Sequence, residues 1–447
     1  MPQKEVRVKY LNLSTYIKKF SLKEEKNMKK FKKVFYILII GLFLLSLISA
    51  QQQSKLLTIL TWANFVPESD QYLAKLAEEF GKKYNAQVRI DIVSLNDFSA
   101  KLAAEIQSNS GHDIILLMNY STALYKNYLI PVNDVVSRVQ IIYGSYVSAA
   151  KEAAMIEGNW YSVPCYYTPS PGVYRKDYFA QAGINPPDTY DELLKVAEKL
   201  YKIGHPIGLP ISHCGDSNDW LFMLLNSFGA KAIDSKGNVT INSPQTRKAM
   251  EYVKELSKYM PPDILAWDGS GNNKWILSGV GSYIINSMSV VAAAKSDFPD
   301  IYKNIGLVLP PKGPAGRFET TSMYSYGITK WSKNQTLAKQ FLRFLFEENN
   351  FKSWVEASKG YNMPLFTNMT KFKTLQCWGI YPDVEVLFNV GKLYHLPLWP
   401  APAGGSAQLT YDSYIIPDMF ANYITGRMSM DDAIKWAEQQ LTQIWKK

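Results

Sequence analysis

Residues 56–118 alternate strand and helix in a rhythm that few architectures can use. Residues 56–61 are a short, mostly apolar run that reads as a buried strand, and residues 69–84 place Leu73, Leu76, Ala77, Phe80 and Tyr84 on one helical face. Residues 87–93 alternate, with Val88, Ile90 and Ile92 predicted to face inward and Arg89 and Asp91 outward. Residues 97–108 carry Phe98, Leu102 and Ile106 in helical register, and residues 113–118 read as a third strand. Strand, helix, strand, helix, strand implies a parallel sheet with right-handed crossovers. In such sheets ligands bind beyond the carboxyl ends of the strands, here Trp62 to Asn64 and Asn119 to Ser121.

At 447 residues the chain is long enough for two domains, each with its own core. Thr189 and Glu192 form a capping box that opens a helix running to Tyr201, with Gly204 just past its end. Residues 335–348 set Leu337, Ala338, Phe341, Leu342 and Leu345 on one side of a helix. A last helix begins at Ser429, with Asp432 as its capping partner and Ala433, Ile434, Ala437, Leu441 and Ile444 as its stripe. Residues 309–316 and 397–406 are rich in Pro and Gly and mark loops or inter-domain passages.

The net charge of +10 suggests a nucleic-acid partner until it is located. Residues 1–33 hold eleven Lys or Arg against three Glu, so +8 of the charge sits there and only +2 remains for the other residues. A body that near neutrality has no electrostatic footprint for nucleic acid. The basic segment precedes an uncharged apolar run at 34–48, followed by Ser49 and Ala50, which is the pattern of an export signal. Two readings stand for residues 28–50: a signal peptide cleaved after Ala50, or a retained membrane anchor, the run being short for a span of about 20 residues. Residues 1–27 then read as an unusual extension or, preferred, as a segment upstream of the true start, and residues 51–55 as a linker. Cys165, Cys214 and Cys377 show no metal or redox spacing; the alternatives are three buried thiols, or one bridge plus a free thiol. The sequence predicts no cofactor and no metal site.

Several stretches together resemble the extracellular solute-binding proteins of ABC importers, in the branch that includes maltose-binding protein. They are residues 158–164 (GNWYSVP), 174–179 (YRKDYF) and 182–193 (AGINPPDTYDEL), then 277–286 (LSGVGSYIIN), 306–313 (GLVLPPKG), 332–345 and 426–441. The similarity covers essentially everything after Leu56. It implies a two-lobed periplasmic-binding-protein fold of type II: two α/β lobes, each a mainly parallel sheet flanked by helices, with the ligand cleft between them. Lobe one would hold residues 56–165 and 322–372, and lobe two residues 166–321 and 373–447. Residues 166–173 and 320–327 would be hinge crossings. The implied partners are a small-molecule sugar and the permease subunits of the transporter, with the protein itself a monomer at the cell surface.

A sugar offers apolar C–H faces and a rim of hydroxyls, so its site needs aromatic platforms beside carboxylates or amides. Trp62 with Asn64, Asn119 with Tyr120, Asp216 with Trp220, Trp267 with Asp268, and Asn286 fall at positions the resemblance puts on the cleft, and Tyr166, Tyr324 and Trp399 near the crossings. Where maltose-binding protein has a stacking Trp after a related motif, this chain has Ser289, which argues against maltose itself. Seven Arg follow the signal region, none in these loops, so a neutral sugar is preferred to a sugar phosphate or amino acid. A polyamine is the minor alternative, since aromatic boxes with Asp also hold cations. The rival class is a secreted carbohydrate enzyme, which needs two carboxylates at a set separation across the sugar. The cleft loops offer amides, aromatics and single Asp residues, and phosphate-loop, zinc-protease and serine-hydrolase motifs are all missing, so the chain reads as a binding protein rather than an enzyme.

Overall fold

The computed structural model describes residues 55–446, together with Met28, Lys30 and Lys33 of the N-terminal segment. The chain divides into Met1–Lys55 and Leu56–Lys447, and the fold that follows is that of the second unit. The expected extension, the apolar run at 34–48 and the linker up to Ser54 lie outside the described residues. Among those described, no helix is long and apolar enough to cross a membrane.

The opening rhythm forms as expected. β1 (Lys55–Trp62) leads into the helix Pro67–Tyr84, whose Leu73, Leu76, Ala77 and Phe80 are buried and whose first position is a Pro that needs no N–H there. β2 (Ala86–Val93), the helix Leu95–Ser108 and β3 (Ile114–Met118) follow, and β1 pairs parallel with β3. One detail of β2 differs from the pattern: Ile92 is exposed, at 42%. Asp91, expected outward, turns half in because its carboxylate meets His112 Nε2 at 2.8 Å, while Glu105 meets the other ring nitrogen at 2.7 Å. That polar cluster shifts the alternation, which an edge strand tolerates.

β4 (Met155–Ile156) and β5 (Asn159–Trp160) make a small hairpin before β6 (Ser162–Tyr167). β7 (Gly172–Arg175), β8 (Tyr283–Ile285) and β9 (Ile305–Val308) then form a separate sheet in the order β8-β7-β9. β10 (Glu319–Thr320) returns the chain, β11 (Met323–Ile328) and β12 (Met363–Pro364) complete a six-stranded sheet ordered β12-β6-β11-β3-β1-β2, and β13 (Tyr394–His395) pairs with β10. The result is two α/β lobes. Strand direction is more mixed than the opening rhythm predicts: β11 runs antiparallel to both β3 and β6, β12 is antiparallel to β6, and the three-stranded sheet is antiparallel throughout. The crossover rule governs successive strands of one sheet, whereas β11 comes back from the other lobe and enters from the opposite end.

The lobes are joined where β6 passes to β7 through residues 168–171 and where β10 passes to β11. The two passages are bonded together: Thr168 N–H donates to Ser322 C=O at 3.3 Å, Thr321 Oγ1 donates to Thr168 C=O at 2.8 Å, and Ser170 N–H donates to Glu319 Oε1 at 2.8 Å. Gly172 opens β7 where space is short, since a Cβ there would lie 2.6 Å from the Tyr283 hydroxyl and 2.7 Å from Val308 Cγ1. Gly172→Ala is therefore expected to cost about 1–3 kcal/mol through overpacking, read as a lower urea midpoint at unchanged slope.

The capping box at Thr189 and Glu192 is present on the helix Tyr190–Lys202, and Gly204 follows at φ 83°. Ser429 caps the helix Met430–Ile444. The expected helix over 335–348 is two, Gln335–Leu345 and Glu348–Ala357; its apolar stripe is buried as read, and the chain turns at Phe346 and Glu347. All three cysteines are free and buried, so no bridge forms among them.

Candidate ligand-binding cleft

The lobe with the six-stranded sheet brings an aromatic floor together at one end of its strands, the carboxyl end of β1 and β6 and the amino end of the antiparallel β11. Trp62, at the end of β1, stacks on Tyr324 of β11 with centroids 5.2 Å apart and planes 13° apart, and Tyr324 stacks in turn on Tyr166 of β6 at 4.9 Å. Trp62 Nε1–H donates to the Tyr166 hydroxyl at 3.2 Å, and Phe65 meets the Trp62 ring edge-on at 5.6 Å. Beside this floor Asn64 is held rigidly. Its Nδ2 donates to Asn362 Oδ1 at 3.1 Å, its Oδ1 accepts Val66 N–H at 2.9 Å, and its own N–H goes to Asp70 at 2.9 Å.

The other lobe answers with amides and carboxylates. Asp216 lies in the first turn of the helix Gly215–Phe228, where a helix N-terminus favours an acid. Its one hydrogen-bond partner is Asn272 Nδ2 at 2.9 Å, from the helix Gly271–Leu277. Asn286, just past β8, donates to Asn273 Oδ1, and Asn273 Nδ2 donates to Ser289 Oγ at 3.1 Å. Burial pushes the Asp216 carboxyl up to about 6; the Asn272 amide opposes this and the charge on Asp268 adds to it.

The two faces oppose each other. Burial holds the phenols of Tyr324 and Tyr361 far above their usual range, and the charges of Asp216 and Asp219 on the other lobe hold them higher still. At the lip the lobes touch: a Cβ on Gly269 would lie 3.6 Å from Phe65 Cζ and 3.9 Å from Leu95 Cδ2. Trp62, Tyr166, Tyr324, Asn64 and Asn286 are each less than a tenth exposed. None of the hydrogen bonds these residues make among the described residues involves a Lys or Arg.

The twelve residues singled out from the sequence thus separate. Trp62, Asn64, Tyr166, Tyr324, Asp216 and Asn286 come together. Asn119, at φ 49°, sits below the floor with its Oδ1 accepting Met323 N–H at 3.0 Å and its Nδ2 reaching Ser322 at 3.5 Å. Trp267 and Asp268 stand at the edge of the cleft: Trp267 packs on Trp275 at 5.7 Å, the exposed Asp268 binds Ser270, and both also line a 490 Å³ cavity on the second lobe with Ser212, Asp418 and Arg427. Three lie elsewhere. Trp220 is in the core with its indole N–H on Pro210 C=O at 2.6 Å, Tyr120 is buried with its hydroxyl on Pro397 C=O at 2.6 Å, and Trp399 stacks on His395 at 4.2 Å in a different cavity. Phe65, Tyr361, Asn272, Asn273 and Asn362 were missed. The Asn272–Asn273 pair, five residues past Trp267 at a helix start, was the available signal.

Two α/β lobes, joined by more than one crossing of the chain, bring these aromatic and polar side chains to their junction. The comparisons with known proteins agree. Residues 66–350 match the family model described as bacterial extracellular solute-binding protein, and the chain belongs to that family. A mannitol-binding protein of Pseudomonas aeruginosa is 24% identical, over 89% of this chain and 94% of its own length. A diacetylchitobiose binding protein of Streptomyces coelicolor is 25% identical over 65% and 69%. An ABC transporter periplasmic-binding protein of Escherichia coli is 21% identical over 61% of this chain and only 64% of its own length. Among solved structures, maltose-bound MalE3 of T. maritima superimposes with a TM-score of 0.77 at 19% identity, covering 88% of this chain and all of that one. A sugar transporter of Arthrobacter chlorophenolicus with bound laminaribiose gives 0.77 at 14% identity and the same coverage.

Proposed function

We propose that this chain captures a neutral sugar outside the cell by closing its two lobes, and hands it to the membrane permease of an ABC importer. The observation that carries the ligand class is the make-up of the cleft: an aromatic floor facing amides and one singly bonded carboxylate, with no cationic partner. Aromatic faces suit the C–H surface of a sugar ring, and Asp216, Asn64 and Asn286 suit its hydroxyls. The names of the relatives, which bind mannitol or diacetylchitobiose, support the same class. Binding stabilises the closed state, the permease reads the closed surface, and no bond is made or broken. Asp219 does not supply the second carboxylate of a glycosidase, because its oxygens accept from Tyr411 and Thr321 on its own side of the cleft. The lobe limits read from the sequence are part of this proposal, as is attachment to the membrane by the N-terminal apolar segment when that segment is retained.

The test is a thermal-shift screen of the purified protein against neutral sugars and polyols, sugar phosphates and polyamines. A cognate sugar at 100 times its Kd adds about 2.7 kcal/mol and raises the melting temperature by on the order of 5 °C. A shift from polyamines alone would replace the sugar reading with the cationic one. Loss of oligosaccharide from the mixture, abolished by a carboxylate substitution, would replace it with an enzyme.

A further inference from the structure

A cavity of about 950 Å³ opens away from the cleft, within the ~300–1,000 Å³ range of small-molecule sites. One wall is the turn after β12, with Phe366; the other runs from Phe388 to Trp399. Its floor is Tyr167, the last residue of β6, where the chain leaves for the other lobe. Trp62, Asp216 and Asn286 take no part in it.

Three observations point to a ligand. Aromatic groups line the groove as platforms: Tyr167 and Tyr394 stack at 4.4 Å, and His395 and Trp399 at 4.2 Å. Tyr167 is only 4% exposed, yet its hydroxyl lines the groove and has no hydrogen-bond partner among the described residues, and Gly391 comes so close that a Cβ there would sit 2.6 Å from that oxygen. The charge of the lining is one-sided. Lys373 and Lys392 stand at the rim with no carboxylate partner among the described residues; Lys373 Nζ lies 5.0 Å over the Phe388 ring, and Lys392 Nζ bonds only the Asn389 amide at 2.8 Å. Behind Trp399 a third ammonium, Lys231, sits 4.6 Å over the indole. The lining holds a single acid, Glu152.

We propose that this groove is a second ligand site that takes a small amphipathic organic anion. Its flat apolar body lies between the aromatic walls, its carboxylate or sulfonate meets Lys373 and Lys392, and the Tyr167 hydroxyl bonds a polar atom at the floor. The site is independent of the sugar reading, since it shares no residue with the cleft.

The test is titration of the full-length protein with 8-anilinonaphthalene-1-sulfonate, followed by fluorescence and calorimetry. Saturable binding at one site is expected, weakened at least tenfold in Lys373→Glu/Lys392→Glu, whose exposed side chains leave the fold intact by circular dichroism, and about threefold or more in Tyr167→Phe. Asp216→Asn, in the cleft, is expected to bind the probe as the parent does. Absence of saturable binding, parent-like binding in both groove variants, or loss of binding in Asp216→Asn would each overturn the proposal.

Discussion

Asp216→Asn is expected to weaken binding of the cognate sugar by about 10- to 150-fold, the worth of one hydrogen bond to a charged group, while the melting temperature stays level or rises slightly. Among the described residues Asp216 has one hydrogen-bond partner, Asn272, which leaves acceptor capacity for a ligand, and its charge is felt by Tyr324 of the aromatic floor. Asn keeps the shape and removes the charge. Because burial raises the carboxyl to about 6, the charged form is disfavoured in the empty site, and its removal relieves the fold. The same value adds a second reading of the experiment. Sugar affinity of the parent rises as pH increases through about 6 and the stronger, ionised acceptor forms, whereas Asp216→Asn binds equally across that range. Isothermal calorimetry from pH 5 to 7.5 measures both. Equal affinities for parent and variant at pH 7 would remove Asp216 from the site.

Glu319→Gln is expected to flatten the loss of stability that the parent shows as pH rises. Glu319 is fully buried between the two crossing passages; Oε1 accepts Ser170 N–H, and Oε2 has no partner. Burial and the nearby charge of Asp219 hold its carboxyl well above the ordinary range, and burial together with Asp216 does the same to Asp219. A carboxyl whose folded pKa exceeds its unfolded one stabilises fully below the unfolded value, near 4, and this contribution fades as pH climbs toward the folded value. Asp134 and Asp188, held low by Lys and Arg partners, act oppositely, but those pairs are exposed and screened. The parent should therefore melt highest under mildly acidic conditions and lower at pH 8. The Gln variant keeps the acceptor for Ser170, cannot ionise, and should exceed the parent at pH 8 while matching it near pH 4. Scanning calorimetry at both values checks this, and parallel pH profiles for the two proteins would refute it.

The sequence was most legible where periodicity is local. The stripe of Leu73, Leu76 and Phe80, the capping box at Thr189, and the turn at Gly204 follow from rules that act within one or two helical turns, and each is present. Legibility failed where a side chain's partner lies far along the chain. Trp220 follows Asp216 by one helical turn on the same face, yet it sits a turn deeper, where its indole N–H bonds Pro210 C=O in the core, while Asp216 at the helix start bonds Asn272. Trp62 looked like a detachable platform. It is instead 2% exposed and part of a three-ring stack, so Trp62→Ala would cost about 3–5 kcal/mol of stability along with any ligand contact, and Asp216 is the cleaner probe.

By itself the sequence determined the alternation of strand and helix, the concentration of charge in residues 1–33, and the family-like order of motifs that implies two lobes. Those are properties of short segments and of composition. Only the tertiary structure decided that β11 returns antiparallel between β3 and β6, that Tyr324 thereby lies on Trp62, and that the charge of Asp216 on the other lobe reaches Tyr324. It also decided that Trp399 belongs to a separate groove rather than to the cleft. The physical reason is that a binding site is made of side chains from separate crossings, and which of them meet depends on strand order and lobe closure. No local propensity encodes either.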